Sequence, residues 1–480
     1  MTKTIVKQPV PGTFRRRGLR TAMARLGLAA ALMAVSDTGL SAASASKTEQ
    51  GSKEVRLSTP KETDVFDTWW KGKQATGQWF GLRQDIEDHG LTLDGKWRGV
   101  FFGIADSQSG PGNAFTQELA FGAKLDFAKL TKLQTLDGLS AFGEVRWREP
   151  GGYANPNNIV LASPLFNPSR YAGGVGWRLM SFGLAYTTPE LFGVEDFLSV
   201  SAGWLQPQRE FLEQPLARLF VNNAMASSEG IGANIPFSSS FTSWGATLQV
   251  KPSDLYYSKA GLFMSYPNPT SSNNNGLMFQ GNASDPAENG LFFLSETGLT
   301  PKFGAGKLPG RYAFGAYYYG EDNPQFGTAK YGFYWQADQM LYREPSSKPD
   351  KLSEQGLRAF NVFVFAPDGW NNNYPFYFHS GLVYEGLVPS RDKDQLLFGI
   401  AFGEYSERQQ ARARNNRNRQ TRRRQPLPEP QNTALLEAGY RIRPNGWSFI
   451  QPFAQYIVQP NGTTSVANAT ILGVFVGVDF

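Results

Sequence analysis

Histidine occurs twice, at His89 and His379, and cysteine not at all. Thiolate metal sites, disulfides and cysteine nucleophiles are thereby excluded, and a histidine-based triad has almost nothing to draw on. The charged residues say more through their spacing. Asp94, Lys96 and Arg98 fall on alternate positions, Glu144, Arg146 and Arg148 do the same, and Glu118 lies on a segment between them. Alternate residues of an extended chain share one face. Three charges on one such face cannot enter a dry core, because each unpaired burial costs several kcal/mol, so these faces meet water. What they offer is hydrogen-bond exchange, not nucleophilic or metal-assisted catalysis. No cofactor or metal is implied.

The elements that carry these residues read as strands. Leu91, Leu93 and Trp97 interleave with the first charged set; Phe115, Leu119, Phe121 and Leu125 alternate with Thr116, Glu118, Lys124 and Asp126; Leu139, Ala141, Val145 and Trp147 oppose the third. Period-two alternation marks half-buried strands. The composition agrees, with 51 glycines, 36 phenylalanines, 19 tyrosines and 11 tryptophans in 480 residues, a mixture that favours strands and tight turns. Counting back from the C-terminus predicts sixteen strands: 469–480, 447–458, 432–442, 395–405, 375–387, 357–366, 331–341, 311–319, 290–300, 256–265, 241–250, 197–206, 176–188, 138–149, 115–127 and 91–105.

A sandwich and a membrane barrel share this alternation; connection lengths and the termini distinguish them. Short turns such as Arg443–Gly446 and Lys251–Asp254 alternate with long connections at 150–175, 207–239, 266–289 and 406–431. An even strand count with short turns at one end and long loops at the other is the plan of an outer-membrane barrel. The fold class expected is therefore all-β, a 16-stranded antiparallel transmembrane β-barrel with short periplasmic turns and long extracellular loops, closed so that it has no free edge.

The N-terminal segment supports export. Basic residues up to Arg25 precede a short apolar run, Leu26–Val35, and small residues around Ala43–Ala45, the order of a cleaved secretory signal. The net charge of +6 resides there: residues 1–45 hold Lys3, Lys7, Arg15, Arg16, Arg17, Arg20 and Arg25 against Asp37. The domain plan expected is a signal peptide at 1–45, a polar leader at 46–75, a periplasmic helix at 76–90 with Leu82 and Ile86 on one side, and the barrel at 91–480. Within the last, 408–424 carries eight arginines and no acid and is expected to be a disordered extracellular loop. Location in the outer membrane of a diderm, Gram-negative-type bacterium follows. Strand 469–480 alternates Leu472, Val474, Val476 and Val478 and ends on Phe480, resembling the signal read by the outer-membrane barrel assembly machinery.

Three stretches resemble the carbohydrate-selective porin (OprB) family: TGQWFGLRQDIEDHGLTLDGKW at 76–97, the hairpin HSGLVYEGLVPSRDKDQLLFGIAFGEYS at 379–406, and EAGYRIRPNGWSFIQPFAQYIVQPNGTTSVANATILGVFVGVDF at 437–480. They carry Trp79 and Arg83; Arg391 and Asp394; Glu437, Tyr440, Gln451 and Gln455. Phe453 and the arginine run depart from the family pattern. The resemblance implies passive diffusion of small neutral sugars through a constriction of charged and hydrogen-bonding side chains. Arginine forks donate and carboxylates accept, which makes Asp94, Lys96, Arg98, Glu118, Glu144, Arg146 and Arg148 candidate pore-lining residues. The loop at 207–239 has apolar spacing suited to a short helix over Leu216–Met225 and the length to fold inward, bringing Arg209, Glu210, Glu213 and Arg218 to the constriction. Tyr171, Trp177 and Trp370 are expected in the interfacial girdle or stacked on a sugar.

Other functions stay open at this level. A general or anion-preferring porin fits the same pattern, and a surface receptor or adhesin fits the long loops. The arginine run suits lipopolysaccharide or another acidic polysaccharide; nucleic acid is not expected as a partner. Both a homotrimer and a monomer are compatible with the sequence.

Overall fold

The computed structural model describes residues 62–480 apart from 152–159, 161, 174, 227–228, 236–240, 266–289, 306, 321–329, 347–350, 368, 370 and 420–427. The expected signal peptide, most of the leader, Trp370 and the end of the arginine run lie outside the described residues.

Sixteen strands form one closed antiparallel barrel. They are β1 (Leu91–Asp106), β2 (Gly112–Asp126), β3 (Leu139–Gly151), β4 (Gly176–Thr187), β5 (Leu198–Leu205), β6 (Ser243–Val250), β7 (Tyr256–Ser265) and β8 (Gly290–Leu299), followed by β9 (Leu308–Tyr319), β10 (Lys330–Arg343), β11 (Gly356–Phe365), β12 (Phe376–Glu385), β13 (Gln395–Glu404), β14 (Asn432–Arg441), β15 (Ser448–Val458) and β16 (Ala469–Asp479). Each expected strand is present, with ends moved by a few residues. Each pairs with its sequence neighbours, and β16 returns to pair with β1 from Lys96↔Asp479 to Asp106↔Thr470. The seam is reinforced where the Phe480 N–H donates to the Gly95 carbonyl at 2.8 Å. Two short hairpins, Glu190–Leu191 with Val194–Glu195 and Lys302–Phe303 with the start of β9, decorate the short-turn end.

The two faces of the wall differ as alternation requires. Phe101, Phe121, Leu184, Leu262, Phe293, Phe314, Phe363 and Leu472 point outward and are uncovered by any other part of the chain, the placement of lipid-facing side chains. Their inward neighbours, among them Phe102, Glu118, Arg148, Phe263, Tyr334, Glu437 and Gln455, are buried because connections fold into the lumen.

A helix, α1 (Glu62–Lys71), lies within the stretch expected to be a polar leader. It is fixed to the short-turn end by aromatic packing: the Trp447 ring centroid is 5.1 Å from that of Trp69 and 6.0 Å from that of Trp70. The Ala75 N–H donates to the Asp479 carbonyl at 2.7 Å. The expected helix over 76–90 is a single turn at Trp79–Gly81 followed by α2 (Leu82–Asp88). Gly81, in the left-handed region at φ 97°, makes the junction between the two. Arg83 stacks its guanidinium 4.3 Å from the Trp79 ring and donates to the Leu93 carbonyl at 3.2 Å, tying α2 to the first strand. Gly90 makes the turn into β1 at φ 95°, where a Cβ would approach the Asp126 carbonyl to 2.6 Å; only glycine suits that position.

One expectation is corrected on the opposite end. The arginine-rich segment begins as a helix, α3 (Glu407–Arg419), and not as a disordered loop. Helix-forming Arg, Gln and Ala dominate its first turns. Arg408 donates to the Asn371 carbonyl and Arg414 pairs with Glu429 at 2.9 Å, so its N-terminal half has partners to hold it.

Candidate functional site

The inward faces of β1, β2 and β3 place charged residues on one wall by strand register alone. Arg98 lies opposite Glu118, and Glu118 opposite Arg148. Glu118 accepts from Arg148 Nε at 2.6 Å and lies 3.4 Å from Arg146, all three being buried. One carboxylate between two guanidiniums offsets the cost of burial, which a lone ion could not do. Beside them, Arg98 bonds to Asp479 at 2.5 Å and to the Val478 carbonyl at 2.9 Å, so the seam also contributes.

The opposite wall is built by the connection between β5 and β6, which enters the lumen. Phe211, Leu212, Phe220, Val221, Ala224 and Met225 on it are fully buried against the barrel interior. The short helix expected over Leu216–Met225 is instead two single 3-10 turns, Leu216–Leu219 and Asn223–Met225, joined by extended backbone at Phe220. The reason is visible at that joint. The N–H groups of Val221 and Asn222 both point to the Glu437 carboxylate, at 2.6 and 2.9 Å, and a helix would have spent them internally. Gln455 bonds to Asn222, and Gln451 and Arg441 both donate to the Leu219 carbonyl. Gly399 leaves the space: a Cβ there would lie 2.6 Å from both Phe220 and Met225.

Between these walls is a cavity of about 270 Å³. Of the residues singled out in the sequence, Lys96, Arg98, Glu118, Glu144, Arg146 and Arg148 line it from the strands, and Arg209, Glu213 and Arg218 from the inward connection. Arg209 pairs with Glu144 across the lumen and Arg218 with Glu213. Asp94 and Glu210 do not line it. Asp94 lies one strand position nearer the short-turn end, over Gly122, and is exposed. Glu210 contributes its backbone carbonyl instead, which accepts from Lys259.

Of the two places expected for Tyr171, the membrane girdle or a sugar face, the structure gives the lumen side, whereas Arg170, Arg441, Arg443, Phe449, Phe475 and Asp479 were not singled out from the sequence. Arg441 shares strand parity with Glu437 and Thr433 on β14, so the alternation contained it. Arg170 lies in a long connection, where no periodicity marks it. Its guanidinium donates to the Ala217 and Phe220 carbonyls at 3.4 Å. Trp177 lies on the outward face, 53% exposed, which makes it a membrane-facing aromatic. The cavity lining holds nine basic side chains and four carboxylates, with Tyr171, Phe449 and Phe475 as the aromatic surface. Arg441 sits 4.1 Å from the Phe449 ring. Such a site can exchange hydrogen bonds with a polyol along several directions and exclude bulky solutes; among the described residues there is no group of three or more potential metal ligands.

A family model described as "Carbohydrate-selective porin, OprB family" matches residues 111–480. Porin B of Pseudomonas aeruginosa strain PAO1 is 24% identical over 438 residues, covering 84% of this chain and 90% of that protein. Among solved structures, the high-pH form of OprB from Pseudomonas putida superposes with a TM-score of 0.74 at 21% identity, over 86% of this chain and all of that one. Its low-pH form gives 0.51 at 17% identity, over 85% and 99%.

Proposed function

The chain belongs to the OprB family of carbohydrate-selective porins, outer-membrane channels for sugar diffusion, and from that premise we propose that its selectivity filter is the cavity between the β1–β3 wall and the connection at 206–235. The observation that carries this is the Arg148–Glu118–Arg146 cluster facing the inward connection. Fixed donors and acceptors compensate the water a sugar sheds on entry, and paired charges hold it too weakly to trap it. Arg209 and Arg218 from the connection complete the ring. Asp94 serves as a charged approach on the periplasmic side, and Glu210 as a support of the connection, not as part of the filter.

The excess of basic over acidic lining residues favours a second reading, an anion-preferring pore. Liposome swelling with purified protein distinguishes the two, comparing mono- and disaccharides with amino acids and small anions of similar size. Replacing Arg146 and Arg148 with alanine is expected to lower the sugar-to-amino-acid rate ratio roughly tenfold, equivalent to about 1.4 kcal/mol of differential interaction. Rates set by charge alone, unaffected by sugar stereochemistry, would establish the anion reading.

Two partners belong to the same proposal. The outward-apolar β16, followed directly by Phe480, supports recognition by the barrel assembly machinery, after export on a cleaved signal. The arginine-rich 408–424 segment, on the long-loop end, supports contact with the phosphates of lipopolysaccharide.

A further inference from the structure

A second cavity, about 280 Å³, lies at the short-turn end between the C-terminus of α1 and the turns 386–394 and 442–447. One wall is Trp70, whose ring stacks on Phe66 and meets Trp447 edge-on yet stays 36% exposed. The other walls include Asp392, Lys393, Arg443 and Asn445. Arg443 borders both this cavity and the filter. The guanidinium of Arg443, the carboxylate of Asp392 and the ammonium of Lys393 make no ion pair or hydrogen bond with any described residue.

The scaffold around these groups is fixed. Asp394 receives Arg391 at 2.9 and 3.0 Å, the Tyr440 hydroxyl at 3.0 Å and the Arg443 N–H at 2.9 Å, joining the two turns. On the other side α1 is seated so closely that a Cβ at Gly446 would lie 2.2 Å from the Gly72 carbonyl. An indole surface beside uncommitted donors and one acceptor is the composition that binds a pyranose: the ring's C–H face packs on the aromatic and its hydroxyls find polar partners.

We propose that this pocket is a second carbohydrate site, an exit position where a monosaccharide leaving the filter is taken over by Arg443 and rests on Trp70 before release into the periplasm. It deepens the sugar-channel reading and rests on it. The shared Arg443 favours a transported sugar over a glycan strand of the cell wall.

The test is saturation-transfer NMR of D-glucose on the full-length purified protein carrying Arg146→Ala and Arg148→Ala, which weaken the filter. Residual glucose binding is expected, weakened roughly three- to tenfold by Trp70→Ala and largely kept by Trp70→Phe. Heat-modifiable migration on gels verifies that each variant folds. The proposal is overturned if no residual binding exists, if Trp70→Ala leaves it unchanged, or if Trp70 is needed only for co-sedimentation with isolated cell-wall sacculi. Failure of the sugar-channel reading is seen separately, as unmutated protein whose swelling rates follow solute size alone.

Discussion

Asp394 illustrates how much one side chain in a turn can organise. Burial disfavours its charged form, but the Arg443 N–H, the Arg391 guanidinium and the Tyr440 hydroxyl outweigh burial and hold its carboxyl below the ordinary range. A depressed carboxylate contributes stability that is complete above the unfolded-state value, about 3.9, and is lost as pH falls through the lower folded-state value. Thermal unfolding in detergent should therefore show a loss of stability below about pH 3.9 that Asp394→Asn removes, with the variant less stable at neutral pH; identical acid profiles would contradict the assignment. Arg391, Asp394 and Tyr440 were visible in the sequence only as parts of family-like motifs. The structure joins them through hydrogen bonds to the one carboxylate of Asp394. The filter residues on strands were legible for a different reason: once β1–β3 are strands, parity alone sends Lys96, Glu118, Arg146 and Arg148 to one face. Arg170 and the direction taken by Glu210 were not legible, because irregular backbone has no period to read.

At the level of elements, the connection at 206–235 is a part held in place by the wall. Its hold is concentrated in Glu437, which accepts two backbone N–H groups. Glu437→Ala leaves both unpaired, at about 1–3 kcal/mol each, and is expected to raise single-channel conductance in planar bilayers while lowering sugar discrimination. Gly399→Leu should do the same by a steric route, since the space it would fill is occupied by Phe220 and Met225. Unchanged conductance in both variants would mean that the connection does not set the pore width. The sequence indicated that this connection is long enough to turn inward, but its helix-like apolar spacing misled: Phe220 and Val221 follow contacts to the wall, not an internal repeat. Likewise α1 was hidden in a polar stretch, because the partner of Trp69 and Trp70 is Trp447, far away in the chain.

For the molecule as a whole, lipid lies on the outside and the polar site within. Phe314, midway along β9 and 49% exposed, tests this inversion: Phe314→Arg is expected to cost about 2–4 kcal/mol in bilayers, read from denaturant unfolding in vesicles. A smaller effect in bilayers than in detergent would argue against a lipid-facing position. The strand order was recoverable from sequence because the barrel has no crossovers and each strand meets its neighbours in turn.

The seam has a consequence for the order of events. Lys96 and Asp479 are partners from opposite ends of the barrel sequence, so the sheet has two unpaired edges for as long as β16 is missing. Hydrocarbon cannot satisfy those edges, and the loop-closure cost of the final pairing is met only when the last strand arrives. A chain clipped before β16 therefore leaves both edges without a partner inside the chain, and such a truncation is expected to abolish the folded, heat-modifiable band on gels. The filter shares that dependence on β16, because Asp479, which holds Arg98 at the lumen wall, is delivered by the same strand that completes the ring.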